Sequence, residues 1–513
     1  MTFAAQIARE RRTEIAVRDR TRSLSWAEAD DHLRRTTRAL QKADLGERKR
    51  VAVLAGNSVD TLLAYVACTL AGASAVAVNS HLTASETAYI LRDSGAALVF
   101  CDTATAHVAA EAAELSSIDA VICWGEGSVP GRVTRWSDWA DDLTEPRTDV
   151  TPRRTVVYTS GTTGRPKGVE LPLTSWVGGE DIAAHLAGLA RNRMVDYGRH
   201  LIVGPMYHSG PLSGTRLFAA GVPVTVVKKF DVDEILAAIE RDRIGSTIMV
   251  PTHFQRLLAA PEEHRSATDT SSLRYVLQVG AKCPVAVKQA MIDWLGPIVW
   301  ESYGASEVGT TCIISAEEWL QRPGSVGRAV APFAAYIRGD DGLPLPPNTE
   351  GPLWFRDTTG HGVNYLSGAG SGSDFTLGEI GRMDEDGYVW ITDRLSDMVV
   401  SGGVNIYPAE VEQALLRHPD IADIACVGVP HDEMGEQLVA LVVPAADRQP
   451  SYADLVDFAR TLLAGYKLPR LIYLIQSLPH TAVGKVDKRE LRRLLAISAA
   501  ELSPLTKKVG ATR

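Results

Sequence analysis

Cysteine is scarce and scattered in this 513-residue chain: Cys68, Cys101, Cys123, Cys283, Cys312 and Cys426 form no CxxC pair and no Cys/His ligand spacing. A disulfide framework and a structural zinc site are therefore not expected, and the six read as small buried hydrophobes in a reducing compartment. Basic charge is not in excess either, since 53 Lys and Arg stand against 62 Asp and Glu for a net charge of −9. That balance excludes bulk electrostatic binding to nucleic acid or an anionic membrane. There is no membrane-spanning apolar run; the most apolar early stretch, 51–78, is broken by Asn57 and Asp60. The opening MTFAAQIARERRTE has no apolar h-region, so no secretory signal and a cytoplasmic location are expected. No fixed-period repeat occurs. No Walker loop occurs, because neither Lys167 nor Gly484-Lys485 meets the GxxxxGK[ST] spacing, and the Gly-rich stretches at 125–131 and 368–372 do not make GxGxxG after a strand. A phosphate-bearing ligand would have to be held by a local constellation of another kind.

What is present is an alternation of short β-branched runs and helical patterns. Residues 51–55, 75–78, 97–101, 155–159, 201–204, 222–227 and 247–250 read as buried strands. Between them, 60–70, 85–91, 232–239 and 285–294 carry apolar residues at helical spacing. Such alternation implies parallel sheets covered by helices, an α/β architecture. From about Ala334 the texture turns to Gly/Asp/Pro clusters between short apolar runs, the mark of hairpins or a small barrel. After Asp397 strand and helix resume over 409–417, 424–429, 438–443, 453–463 and 471–475, a stretch the size of a small domain. At this length two or three domains are expected.

The strongest local signal is Tyr158-Thr-Ser-Gly-Thr-Thr-Gly-Arg-Pro-Lys-Gly168, directly after a strand. Glycines permit tight turns whose N–H groups converge on a phosphate; Ser160, Thr162 and Thr163 add hydroxyls and Lys167 adds a compact charge. A second segment, Tyr303-Gly-Ala-Ser-Glu307, combines a ring able to stack on a base, a hydroxyl for a phosphate and a carboxylate for Mg²⁺. Small residues at Gly280-Ala281 let a flat ring approach the backbone. Standing alone, His208 after its strand reads more readily as a structural hydrogen-bonder, and Lys485 on its Gly turn as a solvated charge.

In this order the motifs resemble those of the adenylate-forming superfamily: acyl-CoA synthetases, luciferases and the adenylation domains of peptide synthetases. The resemblance runs over essentially the whole chain and implies roles for individual residues. Thr159, Ser160, Gly161, Thr162, Thr163 and Gly164 would cradle the ATP phosphates. Gly280, Ala281, Lys282, Glu301, Ser302, Tyr303, Gly304, Ala305 and Ser306 would border the adenylate, Glu379 would clasp the ribose, Arg394 would contact ribose or phosphate, and Lys485, Lys167 and Ser306 would act in catalysis. Glu307 and Thr163 would hold Mg²⁺; Tyr207, His208, Val279, Gly280, Gly304 and Val308 would line the acyl pocket; Ser401, Gly402 and Gly403 would pass the coenzyme A arm; Asp397 would be the hinge. The chain departs from the family pattern at Glu379, where Asp is usual, at Lys282 and Ser306, and at Asp393 and Ser396.

The implied fold is α/β: a large N-terminal domain (1–397) of two α/β subdomains plus a small β-barrel, with a smaller mobile α+β C-terminal domain (398–500) and a tail (501–513). The implied activity is an acyl-CoA synthetase using a small-molecule carboxylic acid, ATP, Mg²⁺ and CoA, through an acyl-AMP intermediate. No nucleic-acid partner and no integral membrane segment are expected, and a homodimer is left open. Two other readings stand beside it: an acyl-AMP ligase that loads a carrier protein, and a catalytically silent acyl-nucleotide-binding homologue. For the acid, the general look is similar to bacterial synthetases for bulky polycyclic, sterol- or terpenoid-like acids, with a fatty acid as the other option.

Overall fold

The computed structural model describes residues 3–160, 166–339, 341–363, 365–368, 372–394, 399–479, 486, 488–498 and 504–505. The chain divides into two compact units, one of 1–80, 87–158 and 168–393, the other of 81–86, 159–167 and 394–513.

Two sheets organise the first part of the chain. One has seven strands, among them Arg50–Leu54, Ser74–Ala77, Leu98–Asp102, Ala120–Trp124 and Val156–Ser160, and its recorded pairings are parallel. The strands read from the β-branched runs are thus real, within a residue or two at each end. They are apolar along their length because helices cover the sheet. Helix Val59–Leu70 is one cover; Ser58 caps it by accepting from Thr61 N–H, and ten of its twelve residues are buried. Helix Trp26–Lys42, capped reciprocally by Ser25 and Glu28, buries Trp26, Ala29 and Leu33 at helical spacing.

The other sheet has fourteen strands and changes character along its width. Strands His200–Ile202, Val224–Val226, Ser246–Met249, Tyr275–Gln278 and Val299–Ala305 pair in parallel; beyond Val299–Ala305 every recorded pairing turns antiparallel. The antiparallel extension holds the turn-rich segment after Ala334. It has its own core of Val308, Cys312, Val326, Phe333, Leu353, Phe355, Phe375 and Val389. This is where the small barrel was expected, and among the described residues the pairings trace an open path along the sheet edge rather than a closed ring.

The second unit carries a six-stranded sheet in which Ile421–His431 runs antiparallel to Gly435–Pro444 over its whole length. Helices Pro408–Leu415, Tyr452–Arg460 and Lys488–Ser498 accompany it, so it is α+β as expected. Among the described residues no helix is long and apolar enough to cross a membrane, and all six cysteines are free and buried.

Candidate active site

The carboxyl ends of the parallel strands in the fourteen-stranded sheet carry about half of the residues singled out by sequence, as ligand sites in open α/β sheets do. After His200–Ile202 the chain turns through Gly204-Pro205-Met206-Tyr207-His208. Asn57, from beyond the end of strand Arg50–Leu54, holds this turn: its Nδ2 donates to Gly204 O at 2.8 Å and Val227 O at 3.1 Å, and its Oδ1 accepts from Met206 N–H at 2.8 Å. Asn57 is buried and satisfies three backbone groups at once, so it fixes the segment that presents Tyr207 and His208. The sequence reading noticed Asn57 as a polar break in an apolar stretch and gave it no role.

His208 is half-buried, but its Nε2 is enclosed and has no hydrogen-bond partner among the described residues. Burial drives the imidazole pKa down to about 4, so the ring is neutral at physiological pH. A buried ring nitrogen without a partner is costly unless a ligand satisfies it. Next to it, Ser209 Oγ lies 2.9 Å from Ser306 Oγ, which joins the His208 turn to the Tyr303–Glu307 segment. Gly210 approaches Val279 closely: a Cβ there would stand 3.5 Å from Val279 Cγ2. Gly280 has φ +85°, a left-handed geometry that favours glycine, so the backbone itself requires it.

The Tyr303–Glu307 segment ends strand Val299–Ala305 and turns into strand Gly309–Ile314. A register irregularity falls at Tyr303/Gly304, and a Cβ on Gly304 would come within 1.9 Å of Gly309 O, so only glycine fits. Thr311 Oγ1 donates to Tyr303 O at 3.1 Å, and Thr174 Oγ1 donates to Val308 O at 2.6 Å, pinning both sides of the turn. Val308 is buried in the core of the antiparallel extension. Ser302 Oγ meets Thr310 Oγ1 at 2.8 Å. The hydroxyl of Ser306 and the carboxylate of Glu307 are left at the turn, both half-buried.

Two residues assigned by resemblance have side chains committed elsewhere. Glu301 Oε2 lies 2.6 Å from Lys288 Nζ, a fully enclosed ion pair whose ammonium also sits 5.0 Å over the Trp319 ring. Burial pushes Glu301 up and Lys288 down, and each holds the other's charge in place. Lys282 Nζ donates to Ile391 O at 3.0 Å. Either residue can offer a nucleotide its backbone, but its charged group is occupied. Glu379 opens strand Glu379–Met383 directly after Gly378 (φ +84°) and is buried.

Of the phosphate loop, Thr159 and Ser160 end strand Val156–Ser160, and Lys167 lies in strand Pro166–Glu170. Gly161, Thr162, Thr163 and Gly164 lie outside the described residues, as do Asp397 and Lys485, and Arg394 is described only as the last residue of its strand. In the second unit Ser401 is buried, and Gly402 (φ +59°) and Gly403 (φ +80°) form the two-residue turn of the hairpin Val399–Ser401/Val404–Ile406. Two positive φ values at a two-residue turn call for glycine whatever passes beside it.

Among the described residues no group of three or more His, Cys, Asp or Glu could by itself hold a metal ion. A Mg²⁺ that arrives with nucleotide phosphates needs only one or two protein oxygens, and Glu307 lies half-buried at its turn. Segments singled out from the sequence thus lie at the ends of parallel strands, beside a half-buried histidine whose ring is neutral. The chain belongs to the AMP-binding enzyme family, whose pattern it matches over residues 3–362, with the AMP-binding enzyme C-terminal domain over 410–485. It is 31% identical over 506 residues to indoleacetate–CoA ligase of Aromatoleum aromaticum, covering 94% of this chain and 95% of that one. It is 32% identical over 495 residues to feruloyl-CoA synthase of Amycolatopsis sp., covering 93% and 95%. Among solved structures, the amide bond synthetase McbA of Marinactinospora thermotolerans superposes with a TM-score of 0.81 at 27% identity, over 96% of this chain and 99% of that one. The protein is an AMP-forming acid–CoA ligase, an acyl-CoA synthetase in the broad sense.

Proposed function

We propose that the acid bound here is a hydrophobic, ring-bearing carboxylic acid whose carboxylate end lies at His208 and Ser306. The observation that carries this reading is the enclosed, unpartnered Nε2 of a neutral His208 beside the Ser209–Ser306 contact. A neutral imidazole orients a ligand without competing for its charge. The Gly-rich run from Tyr207 to Thr215 leaves width for a ring, and relatives named for indoleacetate and feruloyl substrates agree with one.

In this reading the acid carboxylate attacks the α-phosphate of ATP in line. One P–O bond forms, the bond to the leaving oxygen breaks, and pyrophosphate departs. The contribution of the protein is positioning and charge neutralisation: the loop from Thr159 to Gly164 and Lys167 on the phosphates, the ring of Tyr303 against the base, Glu379 and Arg394 on the ribose, and Lys485 at the reacting phosphate. Mg²⁺, held by Glu307 and Thr163 together with phosphate oxygens, would neutralise charge on the departing pyrophosphate. CoA thiolate then displaces AMP from the acyl carbonyl, with Ser401-Gly402-Gly403 beside the pantetheine arm and Asp397 as hinge. A carrier-protein thiol in place of CoA is the second reading.

Pyrophosphate exchange across polycyclic, aromatic and linear acids tests the substrate class, and a clear preference for linear chains would overturn it. Mass spectrometry of mixtures containing acid, ATP and either CoA or a holo-carrier protein separates the two acceptors.

A further inference from the structure

Helix Ser213–Ala219 carries an arginine in an unusual setting. Arg216 Nη1 is buried and has no hydrogen-bond partner among the described residues. Burial lowers the pKa of its guanidinium to about 10, still well above neutrality, and among the described residues no carboxylate offsets it. Arg216 as a whole is half-buried, but a guanidinium nitrogen closed off from water without a partner is unfavourable unless something matches it.

Arg216 lines a cavity of about 20 Å³ that is also bounded by Thr69, Thr155, Trp176, His185 and Thr215. Helices Val59–Leu70, Ile182–Leu189 and Ser213–Ala219 supply its walls. His185 faces it from the second of these and is only 1% exposed. Its Nδ1 lies 2.8 Å from Gly178 O, which can only accept, so Nδ1 carries the proton and Nε2 presents a lone pair. Burial, aided by the nearby Arg216 charge, keeps the ring neutral. Nε2 too is buried and has no partner among the described residues. The cavity therefore combines a cationic donor with a neutral acceptor. Since a water needs roughly 10–15 Å³, it admits one or two water-sized groups and is too small for a phosphate.

We propose that this cavity binds one anionic atom, a halide or one oxygen of a carboxylate, together with one water: Arg216 donates to the anion, and the water donates one hydrogen to the anion and the other to His185 Nε2. Two sources share this chemistry, a free small anion and a carboxylate at the far end of the acid substrate. The second rests on the placement of the acyl pocket at His208. Turn hydrogen bonds onto His208 O, Gly210 O, Pro211 O and Leu212 O carry the chain from His208 to Thr215. Eight residues at about 1.5–2 Å rise span roughly 12–16 Å, and helical side chains lean back toward the N-terminus. The backbone positions of His208 and Arg216 are thus separated by no more than about that rise.

Full-length protein at constant ionic strength, with gluconate replaced stepwise by chloride, nitrate or acetate, tests the free-anion source by thermal unfolding. Wild type should gain about two degrees or more, saturably, as binding linkage requires, and R216M should show no such gain. In a second arm, pyrophosphate exchange compares mono- and dicarboxylic acids on the same ring skeleton. If the anion is the substrate's own, R216M raises KM for the dicarboxylic acids tenfold or more and leaves the monocarboxylic acids unchanged. R216K, which keeps the charge, should retain whichever response wild type shows and covers the case in which R216M fails to fold. Wild type responding in neither arm, or R216M responding like wild type, overturns the proposal. The unfolding arm does not depend on turnover, so its result stands even if no acid supports exchange.

Discussion

Replacing Lys288 by methionine should expose what its buried ion pair contributes. The pair is Lys288 Nζ to Glu301 Oε2 at 2.6 Å, with Lys288 wholly inaccessible and Glu301 5% exposed. Methionine keeps most of the aliphatic contact with Trp319 but leaves Glu301 buried without a cation. Holding that carboxylate ionised would cost more than protonating it, so protonation sets a ceiling on the loss. Keeping a carboxyl of ordinary pKa 4.5 protonated costs about 3.4 kcal/mol at pH 7 and about 1.4 kcal/mol at pH 5.5. The sign follows from proton counting: in K288M the native state holds a proton on Glu301 that the unfolded state releases above pH 4.5. The variant therefore loses stability relative to wild type as pH rises, until the native pKa is reached. Urea unfolding midpoints from pH 5.5 to 8 measure the slope. K288M/E301L, with neither charge, should recover to within about 1 kcal/mol of wild type or exceed it. A pH-independent deficit in K288M would mean that lost packing, not an orphaned carboxylate, is responsible, and no deficit would mean that the pair is not buried as described.

Three further outcomes are expected. His208→Phe keeps the bulk but removes Nε2, and should raise KM for the acid about three- to tenfold, the worth of one hydrogen bond. With its pKa near 4, His208 contributes no inflection between pH 6 and 8, and loss of an inflection in the variant would make it a base instead. Glu379→Ala should raise KM for ATP by a factor of about 10 to 100, corresponding to roughly 1.5–3 kcal/mol for a charge-assisted bond, whereas Glu379→Asp should be tolerated; an unchanged KM in the alanine variant removes Glu379 from the ribose site. Lys485→Ala should slow adenylation about a hundredfold or more yet leave thioester formation from pre-formed acyl-AMP near wild type, and equal damage to both half-reactions would contradict a role confined to the first.

Much of this protein was legible in one dimension because the relevant physics is local. Buried parallel strands need unbroken β-branched runs, so residues 51–55, 75–78 and 97–101 announced Arg50–Leu54, Ser74–Ala77 and Leu98–Asp102. Gly280, Gly402 and Gly403 were singled out for the close approach of a ring and of the coenzyme A arm, and each also answers a positive φ that few other residues adopt. The ordered motifs identified the family before any coordinate was known. Side-chain partners were another matter. Nothing near Asn57 reveals that it would hold the turn at Gly204 and Met206, 147 and 149 positions away. Lys288 lies in a helix among buried Met291 and Ile292, and only the placement of strand Val299–Ala305 brings Glu301 within reach of it. Arg216 and His185 face one cavity only because helices from distant parts of the chain close around it. Periodicity, turn chemistry and motif spacing are properties of neighbours along the chain, and the sequence alone determines them. Which buried polar group meets which, and which meets none, depends on the order of strands in the sheets and the packing of helices upon them, and only the tertiary structure decides that.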